Sequence, residues 1–140
     1  MDTLTLAQRS ERMRRVRATN TKPEMAVRRA LFAADFRYRL HVAGLPGRPD
    51  IAFPARRKVI FVHGCFWHRH SDAGCKLARL PKSRLEFWLP KLERNKRRDA
   101  EIVTALETRG WRSITIWECE LRSLPVVMER IEGFLCHEVH

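Results

Sequence analysis

"PDIAFPARRKVIFVH" (residues 49–63) reads as two strands and the turn between them. "DIAF" and "KVIFVH" are short runs rich in β-branched and aromatic residues, and "PARR" supplies the turn. Strands joined this closely pair antiparallel. Asp50 stands at the start of the first strand, and eleven residues later the second ends in Phe61, Val62 and His63. A lone Asp after a proline is most often a turn or cap residue. Beside the middle of an antiparallel neighbour it can also hold Mg²⁺, which uses one or two protein carboxylates and fills its octahedron with waters and substrate phosphates.

The flanking segments extend this pair into a domain. "GLPGRP" (44–49) is a loop by its Gly and Pro content. "FRYRLH" (36–41) alternates Phe36, Tyr38 and Leu40 against Arg37, Arg39 and His41, the pattern of a half-buried strand. "TKPEMAVRRALFAADF" (21–36) starts a helix with Thr21 as N-cap, Pro23 in the first turn and Glu24 at the capping-box position; Val27, Leu31 and Ala34 form its apolar stripe. "SRLEFWL" (83–89) is a short helical piece. Pro90 suits the first turn of a new helix, which runs from about 90 to 108 with Leu92, Val103 and Leu106 among its apolar positions and stops at Gly110. "WRSITIWE" (111–118) is a strand, and "SLPVVMERIEGFL" (123–135) a closing helix capped by Ser123. The order α, β, β, β, α, β, α predicts one α/β domain with a mixed central sheet flanked by helices on both sides.

The chain has 140 residues, the size of one domain, and buries roughly 70% of its unfolded surface. Lys plus Arg is 28 and Asp plus Glu 16, a net charge of +12 that favours a polyanionic partner, nucleic acid first. Residues 1–20 carry Arg9, Arg12, Arg14, Arg15 and Arg17 with little apolar periodicity; a basic arm and a solvated tail both fit. The stretch 79–98 holds eight basic residues and two acidic ones, a solvated helix face or, in so basic a chain, a phosphate-tracking one. Runs such as Val59–Val62 are far too short to span a bilayer, and the N-terminus has no apolar signal region. A cytoplasmic, reducing location without a membrane partner is expected, so disulfides are not expected among Cys65, Cys75, Cys119 and Cys136.

"VHGCFWHRHSDAGC" (62–75) concentrates the chemistry. Cys65, His70 and Cys75 form a C-x4-H-x4-C cluster that needs a fourth ligand for a closed tetrahedral zinc site. Cys119, at the end of "ITIWEC", is the natural candidate because distant strands often end at one edge of a sheet; Cys136 competes, although a buried thiol in the last helix also fits it. Four bound ligands leave no position open for water, so such zinc is structural. His63 and His68 are then free, and His68 can take the proton of an attacking water. Phe66 and Trp67 sit in a polar loop rather than on an apolar face, which suits stacking between bases, whereas Trp111 and Trp117 read as strand packing.

The residues resemble the Vsr (very short patch repair) endonucleases over nearly the whole chain, at "RSERMRRVRATNTKPE", "LPGRPD", "FVHGCFWHRH", "EFWLPKLERNKRRD" and "GWRSITIWECELR". The resemblance implies a basic arm (1–20) and a Vsr-like domain (21–140) related to the PD-(D/E)xK restriction-enzyme fold. It implies a Mg²⁺-dependent endonuclease that nicks 5′ to the thymine of T:G mismatches arising from 5-methylcytosine deamination. Asp50 would be the Mg²⁺ carboxylate, the Val62 main-chain carbonyl a second ligand, His68 the general base, His63 a supporting catalytic histidine, and Glu24 a neighbour of the metal waters. Cys65, His70, Cys75 and Cys119 would hold structural zinc. Phe66, Trp67 and Trp88 would wedge into the duplex from the major-groove side and Met13 from the minor-groove side. Asn95 and Asp99 lie in a stretch close to the family pattern. The usual second carboxylate and lysine of related nucleases are absent, for Phe61 and His63 stand at those two positions. Glu24 serves equally as a capping-box acid. Asymmetric nicking suits a monomer, with mismatch-repair factors as possible partners. Two rival readings stand beside this one: a restriction-type nuclease of the same fold cutting matched duplex, and a non-catalytic zinc module that only binds DNA.

Overall fold

The first helix buries a carboxylate. The computed structural model describes residues 20–66, 68, 70, 75–78, 80 and 83–136; the basic arm up to residue 19, with Met13, and Trp67 lie outside the described residues. Helix α1 (Lys22–Ala33) begins at Thr21, whose hydroxyl accepts from the Glu24 amide at 3.3 Å. The box is not reciprocal, because the Glu24 carboxylate reaches the Asn20 amide, one residue beyond the cap. The buried stripe of α1 is Glu24, Val27 and Leu31; Ala34, expected to extend it, caps the helix end and is exposed. A charge in a core stripe is costly unless paired or bound to a cation, so Glu24 marks a site.

Four strands follow, β1 (Arg39–Leu40), β2 (Ile51–Phe53), β3 (Lys58–His63) and β4 (Arg112–Trp117), in the spatial order β1-β2-β3-β4. The first three are antiparallel neighbours, and β4 joins β3 in parallel, so the sheet is mixed as expected. The parallel pair needs a crossover, which helix α2 (Leu85–Thr108) supplies. Helix α3 (Leu124–Cys136) closes the chain after a 3-10 turn, Glu118–Ser123, so Ser123 ends that turn.

Helices cover both faces. Val27 and Leu31 of α1 and Val127, Ile131 and Leu135 of α3 pack on Ile51, Phe53, Ile60 and Ile116, with Phe36, Tyr38 and Leu40 at the margin. Leu106 and Ile102 of α2 pack on Ala52, Val59 and Phe61 from the other side. The two-residue alternation of β2 and β3 produces this division.

Pro90 does not open α2; it lies inside one helix that starts at Leu85. Proline removes one i→i−4 bond there. The turns on either side hold because Trp88 and Leu92, four residues apart, are both buried on one face. Gly110, at φ +81°, ends the helix as expected: its amide reaches Glu107 O and the Trp111 amide reaches Leu106 O, a Schellman closure. Arg56 and the buried Lys58 bind the C-terminal carbonyls of α3, Lys58 Nζ donating to Phe134 O at 2.6 Å and Arg56 to Leu135 O at 2.8 Å. They thereby tie the last helix to the sheet and complement its dipole.

Candidate active site and metal clusters

The register brings the chemistry to one edge of the sheet. Leu40 pairs with Ile51, so His41 falls opposite Asp50, and the His41 amide donates to Asp50 O at 3.1 Å. Ile51 pairs with Ile60, which sets Asp50 at the level where β3 ends; its carboxylate accepts from the Val62 amide at 2.8 Å. His63 pairs with Trp117, so Cys65 and Cys119 each follow two residues beyond a paired position. The edge carries three clusters, each with its ligand atoms within 4.8 Å of one another: Glu24, His41 and Asp50; His63, His68 and Asp99; and Cys65, His70, Cys75 and Cys119.

In the first cluster Glu24 is 2% exposed. One of its oxygens accepts from Arg28 at 3.3 Å and lies 2.9 Å from His41 Nε2. Burial pushes the Asp50 carboxyl up to about 6 from 3.8, and the neighbouring Glu24 adds to the rise; the Val62 amide and the nearby His41 and His68 oppose it. An anion this disfavoured, beside a second buried carboxylate, is a site short of positive charge. Its hard oxygen donors fit a divalent cation.

The second cluster is a histidine pair on an acid. His68 Nδ1 lies 2.5 Å from Asp99 Oδ2, and the ring of His63 stacks on that of His68 at 3.7 Å and 5°. Burial, reinforced by the adjacent His68, pushes His63 down to about 3 against the pull of Asp99. His63 Nδ1, buried and 4.0 Å from Asp99, makes no hydrogen bond among the described residues. A neutral His63 therefore leaves the Asp99 carboxylate to His68, which is the arrangement that orients a general base.

In the third cluster the Cys119 amide donates to Cys65 Sγ at 3.4 Å, and Cys119 Sγ lies 3.5 Å from His70 Nδ1. His70 enters because its amide folds back onto Cys65 O at 3.0 Å. Burial pushes the Cys65 thiol up to about 12 and also raises Cys119. For Cys75 burial acts the same way, but contacts with His70, Cys65, the Ala78 amide and Cys119 outweigh it, and the thiol falls to about 7. Three sulfurs and one imidazole nitrogen are the donor set of a structural zinc site. Cys136 is exposed at the far end of α3 and takes no part.

Trp117 joins the second and third clusters. Its indole stacks on His70 at 4.3 Å and meets His63 edge-on at 5.3 Å. Phe66 is half-buried and meets Trp88 at 5.7 Å. Trp88 is 8% exposed and also packs edge-on to Phe87 at 5.0 Å, so here it backs Phe66 rather than offering a wedge of its own.

No local sequence pattern marks His41 or Asp99 as site residues. His41 ends an alternating strand on the side of the arginines, and only the ladder with Asp50 exposes its place. Asp99 closes the run "RNKRRD", and a lone acid there was the available signal.

Comparison with known proteins identifies the family. The family model for "DNA mismatch endonuclease Vsr" matches residues 1–74. A type II nicking enzyme, V.XorIIP, of Xanthomonas oryzae pv. oryzae is 48% identical over 134 residues, which cover 96% of this chain and 96% of the relative. The DNA mismatch endonuclease Vsr of Escherichia coli is 39% identical over 137 residues, covering 94% of this chain and 86% of the relative. A second type II nicking enzyme, V.NmeAIP of Neisseria meningitidis, is 41% identical over 130 residues, 93% of this chain and 91% of the relative.

Proposed function

From the chain's membership of the Vsr family of DNA endonucleases, we propose that it nicks one strand of duplex DNA 5′ to the thymine of a T:G mismatch, with Mg²⁺ as the catalytic ion. The observation that carries this reading is the juxtaposition of the Asp50 and Glu24 carboxylates, the first destabilised as an anion, with the Asp99-bound His68. Asp50 would hold the ion with the Val62 carbonyl, and Glu24 would bind its waters. Bound there, Mg²⁺ lowers the pKa of water and offsets charge on the phosphate. His68 takes the proton of the attacking water through its free ring nitrogen, Nε2, while Asp99 fixes the ring at Nδ1 and stabilises the charge it gains. His63 fills the space behind that ring without competing for the proton. In-line attack leaves 5′-phosphate and 3′-hydroxyl ends.

Cys65, His70, Cys75 and Cys119 would hold structural zinc, pinning the loop that carries His68 and Phe66. Phe66, supported by Trp88, is the wedge beside the mismatch, and Trp67 and Met13 extend it as the family resemblance implies. A mispaired step is cheaper to pry open than a matched one, which supplies part of the selectivity. The basic face around Lys91, Arg94 and Arg97 tracks phosphates. Among the described residues no helix is long and apolar enough to cross a membrane. One experiment separates this reading from the restriction-type alternative: T:G and T:A duplexes of one sequence, over randomised flanks, incubated with the protein and Mg²⁺. Nicking confined to T:G supports it, and equal cutting of matched duplex sinks it.

A further inference from the structure

We propose that His41 is a nitrogen ligand of the catalytic cation and that it makes this centre a mixed nitrogen–oxygen site preferring Mn²⁺ to Mg²⁺. The inference rests on the reading of Asp50 as the metal carboxylate and adds a donor to it. Three observations carry it. First, the antiparallel ladder fixes His41 directly across from Asp50, with the His41 amide on Asp50 O at 3.1 Å. The imidazole is therefore positioned by the same backbone that positions the carboxylate.

Second, His41 directly follows β1 at φ +46°, in the left-handed region. A β-carbon makes that region costly, and histidine is among the few side chains, with Asn and Asp, that occupy it readily. Third, the imidazole is turned inward: Nε2 lies 2.9 Å from the Glu24 carboxylate, and the ligand atoms of Glu24, His41 and Asp50 all lie within 4.8 Å of one another. Around an octahedral ion with bonds of about 2.1 Å, adjacent donors stand about 3 Å apart and opposite ones about 4.2 Å. The three donors lie within 4.8 Å of one another, close to that span, so Asp50 and His41 would share one ion while Glu24 binds its waters.

Without a cation, His41 Nε2–H donates to Glu24. His41 would hold a bound cation through Nε2, the ring nitrogen that faces the Glu24 carboxylate. Mg²⁺ gains little from this, since it is a hard ion that prefers oxygen and keeps its waters. A first-row transition ion gains more from an imidazole.

The test uses the full-length protein with its cysteine cluster loaded with zinc. Mn²⁺ is titrated in, free Mn²⁺ is counted by electron paramagnetic resonance, and nitrogen coupling to the bound ion is read by electron spin echo modulation. His41→Gln keeps a hydrogen bond to Glu24 but removes the imidazole. The expected result is nitrogen modulation in the wild type that disappears in His41→Gln, with the ratio of Mg²⁺ to Mn²⁺ dissociation constants falling about tenfold. Mn²⁺ that binds in an Asp50-dependent manner without nitrogen modulation, or with modulation that survives in His41→Gln, overturns the role of His41 and leaves the proposed centre standing. If His41→Gln does not fold, His41→Asn is read in the same way, because His63 and His68 are a second source of nitrogen and the wild-type spectrum needs a variant beside it. Mn²⁺ binding indifferent to Asp50→Ala overturns the centre and the inference together.

Discussion

Asp50→Asn should give a more stable and inactive protein, with a gain in stability that depends on pH. The Asp50 carboxyl titrates at about 6 in the fold, against 3.8 for the unperturbed group. At about 1.4 kcal/mol per pH unit, the folded state carries roughly 3 kcal/mol of penalty for the ionised form that the unfolded chain does not. Below 3.8 both states hold the proton and the penalty vanishes. Between 3.8 and 6 it grows, and above 6 it is complete. Asparagine is neutral and nearly isosteric, still offers an oxygen to the Val62 amide, and no longer repels Glu24. The variant should therefore exceed the wild type by about 3 kcal/mol at pH 8 but only by about 1 kcal/mol at pH 4.5. Urea unfolding followed by tryptophan fluorescence, in buffer stripped of divalent ions, measures the difference. Adding Mg²⁺ should narrow it, because the ion stabilises only the wild type. A variant equal to or less stable than the wild type at pH 8, or a gain independent of pH, would refute the argument that Asp50 is a buried anion awaiting a cation.

Three other perturbations test the remaining parts. Asp99→Asn should lower kcat about 10²-fold or more while leaving KM for DNA within a few-fold, since it disturbs the base and not the binding face; single-turnover nicking with a parallel binding titration reads both. Cys119→Ala should abolish stoichiometric zinc, measured by metal analysis, and lower activity as the support that runs from His70 through Trp117 to His63 loosens. Gly47→Ala should destabilise by about 1–3 kcal/mol in urea, because φ is +73° and the new β-carbon would lie 2.4 Å from Ile102 Cγ2; Ile102→Ala in the same chain should recover part of the loss.

Much of the fold was legible because its signals are local. The turn "PARR", the Thr21 cap and the stop at Gly110 survive in the structure, whereas the strand expected over "FRYRLH" shrinks to Arg39–Leu40, because only those two residues pair with β2. Pro90 misled because its cost, one backbone bond, is local, whereas the burial of Trp88 and Leu92 that outweighs it is tertiary. The α1 stripe misled for a similar reason: Ala34 fits the apolar pattern, yet the buried position belongs to Glu24. Of the site, Cys65, His70 and Cys75 were visible as a cluster, and Cys119 followed from strands ending at one edge. His41 and Asp99 were not visible, because their partners Asp50 and His68 lie nine and thirty-one residues away and are brought to them by the β1–β2 register and the α2 crossover. The wedge role of Trp88 came from the family resemblance alone; its burial against Phe66 is a property of packing that no local pattern shows.

The central claim is that Asp50 and His68 form one nicking centre. Its most direct test is the single-turnover rate on a T:G duplex with Mg²⁺ for the wild type, Asp50→Ala and His68→Ala, with DNA affinity measured on the same samples. Both variants should lose at least about 10²-fold in rate and keep DNA affinity within a few-fold. A variant of either residue that nicks at close to the wild-type rate would contradict it.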